Sequence, residues 1–229
     1  MAPQYDARGR LRHLVTLKDM PRELLVGLLD RAEGFLTPMG TFPARNDALA
    51  GRTVANLFFE PSTRTRASFE LAARRLGADV LSLDVSMSSR AKGETLLDTM
   101  YTLQAMQVDV FVIRDAQSGV PAFIAEHVAG HVAVLNAGES HLNHPTQGLL
   151  DVLTMRRHKG DLAGRVVTIA GDIQHSRVAR SAHHALTALG VGELRLVAPP
   201  ALAPDPAEFG GARLLDCIED GVRDADVVM

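Results

Sequence analysis

The feature that most constrains the fold of this chain is a regular alternation of short, β-branched apolar runs with longer amphipathic segments. The runs RTVANLFF (52–59) and VDVFVIR (108–114) are typical of buried strands, whereas HPTQGLLDVLTMRR (144–157) reads as a helix. Strands that alternate with helices form βαβ units, and these units build parallel sheets covered by helices. The sequence therefore predicts an α/β fold.

A second set of strands and helices begins near GDLAGRVVTIAGD (160–172), and 229 residues are enough for two modest domains. We predict two parallel-sheet domains with flanking helices, the first over residues 1–143 and the second over residues 144–229. The last apolar run, DADVVM, reads as a strand with no helix after it to cover it. We therefore expect the second domain to be incomplete.

The charge balance argues against long polyanionic partners. Lysine and arginine total 24 against 27 acidic residues, a formal net charge of −3, so there is no broad cationic field for nucleic acid. No apolar run approaches the roughly 20 residues that a membrane span requires, and the first residues lack the apolar core of a secretory signal. We expect a cytoplasmic protein with neither nucleic-acid nor membrane partners.

Cysteine and histidine usage points away from disulfide and metal chemistry. Cys217 is the only cysteine, which excludes an internal disulfide. The histidines, including His175, His183 and His184, show no spacing with cysteines or carboxylates that demands a metal. We predict no metal and no cofactor.

The stretch FFEPSTRTRAS (58–68) is the strongest candidate for binding chemistry. A strand followed by a short loop and a helix start presents backbone N–H groups and a partial positive charge, and both favour an anion. Ser62, Thr63 and Thr65 add hydroxyl donors, and Arg64 adds a guanidinium that can grip phosphate with two hydrogen bonds. The stretch has neither the glycine-rich phosphate loop nor G-x-G-x-x-G, which disfavours nucleotides.

Four stretches carry, in order, a resemblance to one family. FFEPSTRTRASFE (58–70) resembles the carbamoyl-phosphate signature of the aspartate and ornithine transcarbamoylase family, and SMSSRAKGETLLDT (86–99) resembles its mobile loop. HPTQGLLD (144–151) resembles its histidine and glutamine motif, and GDIQHSRVARS (171–181) resembles the start of its acceptor domain. The resemblance implies a carbamoyltransferase-like fold with a carbamoyl-phosphate-binding domain over 1–143 and a partial aspartate-binding domain over 144–229.

The resemblance also implies which residues bind carbamoyl phosphate. They are Ser62, Thr63, Arg64, Thr65, Arg114, His144 and Gln147, together with Ser88 and Lys92 of a neighbouring subunit. Within this set the implied catalytic residues are Arg64, Thr65, Arg114 and His144, of which the last three converge on the carbonyl oxygen. Arg114 also fits on physical grounds, because it closes a strand and ligands of open α/β sheets gather at the carboxyl ends of strands.

The same resemblance favours aspartate as the acceptor. Thr146 stands in HPTQ where the ornithine enzymes typically have cysteine, and Arg177 matches the family arginine that holds the α-carboxylate of aspartate. Lys92 is implied as a further aspartate ligand. Because the family loop that carries Ser88 and Lys92 reaches the active site of a neighbouring subunit, the resemblance implies a homotrimer with shared sites. It leaves open whether a regulatory chain joins this homotrimer.

The implied reaction transfers the carbamoyl group of carbamoyl phosphate to the α-amine of L-aspartate, giving N-carbamoyl-L-aspartate and phosphate, a step of pyrimidine biosynthesis. Two alternatives stay open at this stage. One is a carbamoyltransferase for ornithine or a related amine. The other is an anion-binding, non-catalytic subunit. Complete family members continue past DADVVM into an acceptor-binding segment, and this difference favours that alternative. The activity of the 229-residue chain itself is open for the same reason.

Overall fold

The structure, a computed structural model, describes residues 4–84 and 95–229. The chain divides into two compact units: unit 1 comprises Met1–Thr16 and Phe35–Ser140, and unit 2 comprises Leu17–Gly34 and His141–Met229. Each unit contains one four-stranded parallel sheet with flanking helices. This architecture confirms the predicted α/β fold.

The helices and strands alternate as the sequence predicts. In chain order they are α1 (Arg22–Glu33), β1 (Thr53–Phe58), α2 (Thr63–Arg75), β2 (Asp79–Asp84), α3 (Leu96–Ala105), β3 (Val110–Asp115), α4 (Val120–His127), β4 (Ala133–Glu139), α5 (Pro145–Lys159), β5 (Val166–Ala170), α6 (Arg177–Leu189), β6 (Glu193–Val197), β7 (Arg213–Leu215), α7 (Ile218–Val222) and β8 (Val227–Val228). Two short 3₁₀ helices, Pro200–Leu202 and Pro206–Phe209, lie between β6 and β7.

The sheet of unit 1 has the strand order β2-β1-β3-β4. From β1 the chain passes to β2 on one side and then places β3 on the other, so the strand order reverses between β1 and β3. Crevices that bind ligands form at such a reversal, outside the carboxyl ends of the strands. Phe58 at the end of β1 is in register with Arg114 near the end of β3, which places both residues at this point.

Apolar side chains cover both faces of this sheet, which explains why β1 and β3 read as continuous apolar runs. Successive residues of a strand point to opposite faces. Phe111 and Ile113 of β3 belong to one buried cluster with residues of α3 and α4, whereas Val112 belongs to another with Phe58 and with Ala73 of α2. The two clusters hold helices on opposite sides of one sheet.

The N-terminal segment of unit 1 covers the free edge of β4. Leu14 donates its backbone N–H to Val134 O at 2.9 Å and accepts from Asn136 N at 2.9 Å, which continues the ladder past the last strand. The side chain of Gln4 accepts the backbone N–H groups of the two residues after Leu14. An edge strand with unpaired backbone groups invites association with other chains, so this cover protects the sheet.

His13 makes this edge contact sensitive to acid, and we predict a measurable pH dependence of stability. Its ring Nδ1 accepts the backbone N–H of Val134 at 3.0 Å. Burial, together with the neighbouring Arg12 charge, lowers the His13 pKa from 6.5 to about 4. Between these two pH values the unfolded chain binds a proton that the folded chain excludes, so the free energy of unfolding falls as pH falls through this window and then levels off.

His13→Asn should remove this dependence, because the amide oxygen accepts the same N–H but does not titrate. The wild-type chain should lose at most about 3.5 kcal/mol from this group on full acidification and about 2 kcal/mol of it by pH 5, since each pH unit inside the window is worth about 1.4 kcal/mol. Urea unfolding at about pH 7.5 and about pH 5 measures the loss. His131→Asn, at an exposed position of the same unit, is the control. An unchanged pH dependence in His13→Asn would contradict the prediction.

The sheet of unit 2 has the strand order β7-β6-β5-β8. Here the strand order reverses between β5, the first strand of unit 2, and β8. The crevice expected at such a reversal lies outside the carboxyl end of β5. The final apolar run, predicted to be a strand, pairs with β5 through Val167 and Thr168, which are in register with Val227 and Val228. The point of reversal in this sheet therefore lies at the end of β5, directly before the residues that lead into α6.

The units differ from the predicted domains in the position of α1. The sequence suggests one domain over 1–143, but residues 17–34 belong to unit 2, where the side chain of Arg22 donates to Leu189 O and Asp30 lies 2.7 Å from Arg156. The apolar face of α1, buried at Leu25 and Leu29, predicts burial but does not reveal which sheet covers it.

In the described residues, none of the helices has the length and hydrophobicity that crossing a bilayer requires.

Candidate functional site

The predicted residues of unit 1 lie together at the carboxyl ends of β1 and β3. We call Ser62, Thr63, Arg64, Thr65 and Arg114 the unit 1 cluster. Helix α2 begins at Thr63, within the predicted anion-binding stretch itself. The hydroxyl and guanidinium groups of the stretch are therefore on the first turn of the helix and on its cap, where its backbone N–H groups have no partner within the helix.

The start of α2 is unusually suited to an anion from outside the helix. Ser62 occupies the N-cap position with extended backbone, but its side chain makes no capping hydrogen bond, and the first turn contains no acidic residue. A capping hydroxyl or a first-turn carboxylate would normally satisfy the N–H groups and the partial positive charge. Arg64 is exposed and Thr65 is half-buried. Ser62 therefore does not act as a helix cap through its side chain.

Arg114 is a buried guanidinium beside this helix start. Only 7% of the residue is exposed, and neighbouring groups hold its guanidinium. Its Nη2 lies 2.8 Å from Glu60 Oε1, in the loop before α2, and its Nη1 donates to Ala137 O of β4 at 3.2 Å. Phe59 N donates to Arg114 O at 2.9 Å, which extends the pairing of β1 with β3 into the loop. These contacts fix the guanidinium next to the residues that begin α2.

A polar chain beneath α2 supports the cluster and was not predicted. Asn56 in β1 is fully buried and donates to Ser82 Oγ at 3.2 Å, and Ser82 in turn donates to Glu70 of α2 at 3.1 Å. Glu70 also accepts from Arg74 one turn later at 3.1 Å. Because buried polar groups are costly unless they are hydrogen-bonded, this chain ties one face of α2 to the sheet. Asn56, which interrupts the apolar part of RTVANLFF, is the sequence feature that could have indicated these hydrogen bonds.

The predicted residues of unit 2 lie at the starts of α5 and α6. We call His144, Gln147 and Arg177 the unit 2 cluster. His144 is the N-cap of α5, Pro145 is the first helical residue, and His144 is 7% exposed. The backbone N–H of His144 donates to Ser181 Oγ of α6 at 2.8 Å. Its ring Nδ1 lies 3.4 Å from Thr146 Oγ1.

Gly148 explains how α5 and α6 come close enough for this hydrogen bond. A Cβ at this position would lie 3.0 Å from Ser181 Cβ and 2.9 Å from Leu17 Cδ1, both within the range where the neighbours must shift. A helix-interior glycine costs about 1 kcal/mol relative to alanine, so the close approach offsets a propensity penalty. Gly148 and Ser181 were not singled out in the sequence, because their partners are 30 or more residues away in the chain.

The side chain of Gln147 is oriented along α5. Its Nε2 donates to Asp151 Oδ1 at 2.8 Å, one turn further along the helix. Burial raises the pKa of Asp151, although the hydrogen bond from Gln147 opposes that shift. The amide oxygen of Gln147 is the end that points away from Asp151. This orientation is compatible with recognition of an N–H group, for which an amide oxygen is the acceptor.

Arg177 is the first residue of α6 and follows the carboxyl end of β5. Ser176 is the N-cap, and its side chain accepts from Ala179 N at 3.0 Å. In the loop before it, Asp172 accepts from the backbone N–H of His175 at 3.1 Å, and its Oδ1 lies 3.0 Å from the His175 ring Nδ1. A half-buried guanidinium at a helix start combines two favourable terms for a carboxylate ligand, a full positive charge and the helix dipole.

Two of the predicted ligands, Ser88 and Lys92, lie outside the described residues. Across residues 4–84 and 95–229, no group of three or more histidine, cysteine or acidic residues is placed to hold a metal ion. Unit 1 brings its five predicted residues together at one end of its sheet, and unit 2 places its three at the starts of two helices that are joined by a hydrogen bond from His144 N to Ser181.

Comparison with known proteins connects these clusters to one family. Residues 12–157 match the family model described as "Aspartate/ornithine carbamoyltransferase, carbamoyl-P binding domain". The matched range contains the whole unit 1 cluster and two residues of the unit 2 cluster, His144 and Gln147.

Solved structures of this family are similar over nearly the whole chain. The aspartate transcarbamoylase of Trypanosoma cruzi in complex with carbamoyl phosphate is 30% identical, with a TM-score of 0.83 over 95% of this chain and 74% of that one. The catalytic subunit of M. jannaschii aspartate transcarbamoylase is 32% identical, with a TM-score of 0.84 over 95% and 72%. The ornithine carbamoyltransferase of Thermus thermophilus is 27% identical, with a TM-score of 0.84 over 94% and 72%.

Proposed function

Because the chain belongs to the aspartate/ornithine carbamoyltransferase family, we propose that it transfers the carbamoyl group of carbamoyl phosphate to the α-amine of L-aspartate. The products are N-carbamoyl-L-aspartate and phosphate, and the reaction belongs to pyrimidine biosynthesis. A C–N bond forms, the C–O bond to phosphate breaks, and the amine gives up one proton as phosphate leaves.

The observation that carries the donor part of the proposal is the start of α2. It combines backbone N–H groups, a cap side chain that makes no capping bond, the exposed Arg64 and the adjacent Arg114. A phosphate group takes up many hydrogen bonds from such a cluster, and cationic donors there also stabilise the charge that grows on it as the C–O bond breaks. We propose that Ser62, Thr63 and Arg64 bind the phosphate, while Thr65 and Arg114 bind both the phosphate and the carbonyl oxygen.

We assign the unit 2 cluster to the carbamoyl group and to the acceptor. We propose that His144 donates a hydrogen bond to the carbonyl oxygen, which becomes negative in the tetrahedral intermediate, and that Gln147 accepts from the carbamoyl amide. Arg177 binds the α-carboxylate of the acceptor. A transfer of this kind needs no covalent enzyme intermediate, because alignment of two substrates and stabilisation of the oxyanion supply most of the catalysis.

Aspartate is preferred over ornithine on the basis of two residues. The TM-score is 0.84 for both the M. jannaschii aspartate enzyme and the T. thermophilus ornithine enzyme, so overall similarity does not discriminate between the acceptors. Arg177 offers a cation to an acceptor that carries two carboxylates, and Thr146 gives the HPTQ form of the motif. These residues support the dicarboxylate acceptor.

The test is a carbamoyl transfer assay with radiolabelled carbamoyl phosphate and a panel of amines that includes L-aspartate, L-ornithine and putrescine. We expect N-carbamoyl-L-aspartate as the product and no transfer to the two other amines. Citrulline as the main product would support the ornithine alternative. Tight binding of a phosphonate analogue with no transfer to any amine would instead support a non-catalytic, anion-binding subunit.

We also propose that the protein works as a cytoplasmic homotrimer, in which Ser88 and Lys92 complete the site of a neighbouring subunit. Light scattering during size-exclusion chromatography tests the assembly. Mixing a Lys92→Ala chain with an Arg64→Ala chain tests the shared site, because two inactive chains should restore part of the activity when each supplies what the other lacks.

A further inference from the structure

Arg180 is a buried charged residue on α6 to which neither the family resemblance nor the proposed reaction assigns a role. Its residue exposure is 7%, and it lies one helical turn after Arg177. A buried guanidinium is expensive unless its charge is paired and its N–H groups are hydrogen-bonded. Its partners therefore indicate what the position is for.

On one side Arg180 binds the loop that leads into α6. Its Nη1 donates to Gln174 O at 2.8 Å and lies 3.4 Å from Ile173 O. Gln174 is also fixed from elsewhere, since its backbone N–H donates to Leu202 O at 3.0 Å. Inside the loop, Ser176 N donates to Ile173 O at 3.2 Å, so the carbonyl groups that Arg180 approaches belong to the turn that leads into the helix.

On the other side Arg180 binds the second 3₁₀ helix, Pro206–Phe209. Its Nη2 pairs with the carboxylate of Glu208, and its guanidinium carbon lies 5.4 Å from the ring centre of Phe209. Phe209 is fully buried, and Asp205 caps this short helix by accepting from Ala207 N at 2.9 Å. One planar guanidinium thus links a short helix, anchored by the buried Phe209, to the backbone of the loop before Arg177.

This geometry uses properties that lysine lacks. The guanidinium presents several N–H groups in a fixed plane, so it can donate to two carbonyls and a carboxylate at once and also stack on a ring. An ammonium at the same place is a compact point charge with a different reach. The role of the residue therefore depends on the fork geometry and not on charge alone.

We infer that Arg180 is a positioning residue for the acceptor: it fixes the loop 173–176 so that Arg177 meets the α-carboxylate in the productive orientation. The inference rests on the proposed function, because the role of Arg177 is part of that proposal. Arg180 does not touch the acceptor itself. A displacement of about 1 Å in a binding group costs up to about 100-fold in rate, so a loosened loop has a large kinetic effect.

The test compares Arg180→Lys and Glu208→Gln with the wild-type chain. We expect Arg180→Lys to raise the KM for aspartate about tenfold or more, with kcat within about threefold and the Kd for carbamoyl phosphate within about twofold. Glu208→Gln should raise the same KM by a smaller factor, since it keeps the fork but removes its counter-charge. Arg223→Lys is the matched control, because Arg223 belongs to an exposed ion pair with Asp220 in the same unit.

A double-mutant cycle separates positioning from general damage. If Arg180 acts through Arg177, Arg180→Lys should have almost no further effect on the aspartate KM in an Arg177→Ala background. An unchanged KM in a folded Arg180→Lys chain would overturn the inference, as would an undiminished effect in the Arg177→Ala background. If Arg180→Lys fails to fold, Glu208→Gln carries the same cycle.

The two proposals fail in different ways. A wild-type chain that forms no N-carbamoyl-L-aspartate contradicts the proposed function, and the inference falls with it. A wild-type chain that forms this product, while the variants show unaltered KM values, contradicts the inference alone.

Discussion

Replacing Arg64 with alanine should lower the rate of carbamoyl transfer by about 100-fold to 1000-fold, the usual cost of losing one well-placed donor to a developing negative charge. Arg64 is exposed on the first turn of α2, so its removal should leave the free energy of unfolding nearly unchanged. Steady-state kinetics and urea unfolding of the same preparation measure the two quantities.

The control for this result is Arg75→Ala, which removes an exposed arginine from the last turn of the same helix. It should retain nearly full activity. If Arg64→Ala also retains near-normal turnover, or if both variants lose activity to the same extent, the start of α2 is not the phosphate site.

Replacing Arg177 with alanine should instead act on the acceptor. A hydrogen bond to a charged group is worth about 1.5–3 kcal/mol, so the KM for aspartate should rise by about 10-fold to 100-fold. The Kd for carbamoyl phosphate, measured by calorimetry without aspartate, should stay close to the wild-type value, because Arg177 has no proposed contact with the donor.

Arg157→Ala is the matched control for Arg177, since Arg157 is exposed in the last turn of α5 in the same unit. Its KM for aspartate should match that of the wild-type chain. An Arg177→Ala chain whose aspartate KM is unaltered would exclude the α-carboxylate role. A parallel loss of carbamoyl phosphate binding would point to a more general disturbance of unit 2.

Local patterns predicted most of the fold. The apolar runs 52–59 and 108–114 and the helical stretch 144–157 depend on neighbours in the chain, and they form β1, β3 and α5 as expected. Helix α4 was not predicted, because its eight residues are short and apolar and follow a glycine.

The candidate residues themselves could be selected from motifs, but the residues that hold them could not. Glu60 beside Arg114, Ser181 beside His144 and Glu208 beside Arg180 are all partners whose pairing depends on the tertiary fold. Sequence patterns carry no signal for such pairs in a single chain. The same limit applies to α1, whose apolar face was evident while its place in unit 2 was not.

The absence of a Cβ at Gly148 limits how parts of this site can be exchanged between relatives. Because α5 and α6 touch where a larger residue at Gly148 would force Ser181 to shift, His144 and Arg177 are carried by two closely fitted helices. A graft that transplants the start of α6 from a relative with another acceptor would have to bring its matching α5 as well. Acceptor choice in this scaffold is then exchanged as a pair of helices, and single loops are poor modules for redesign.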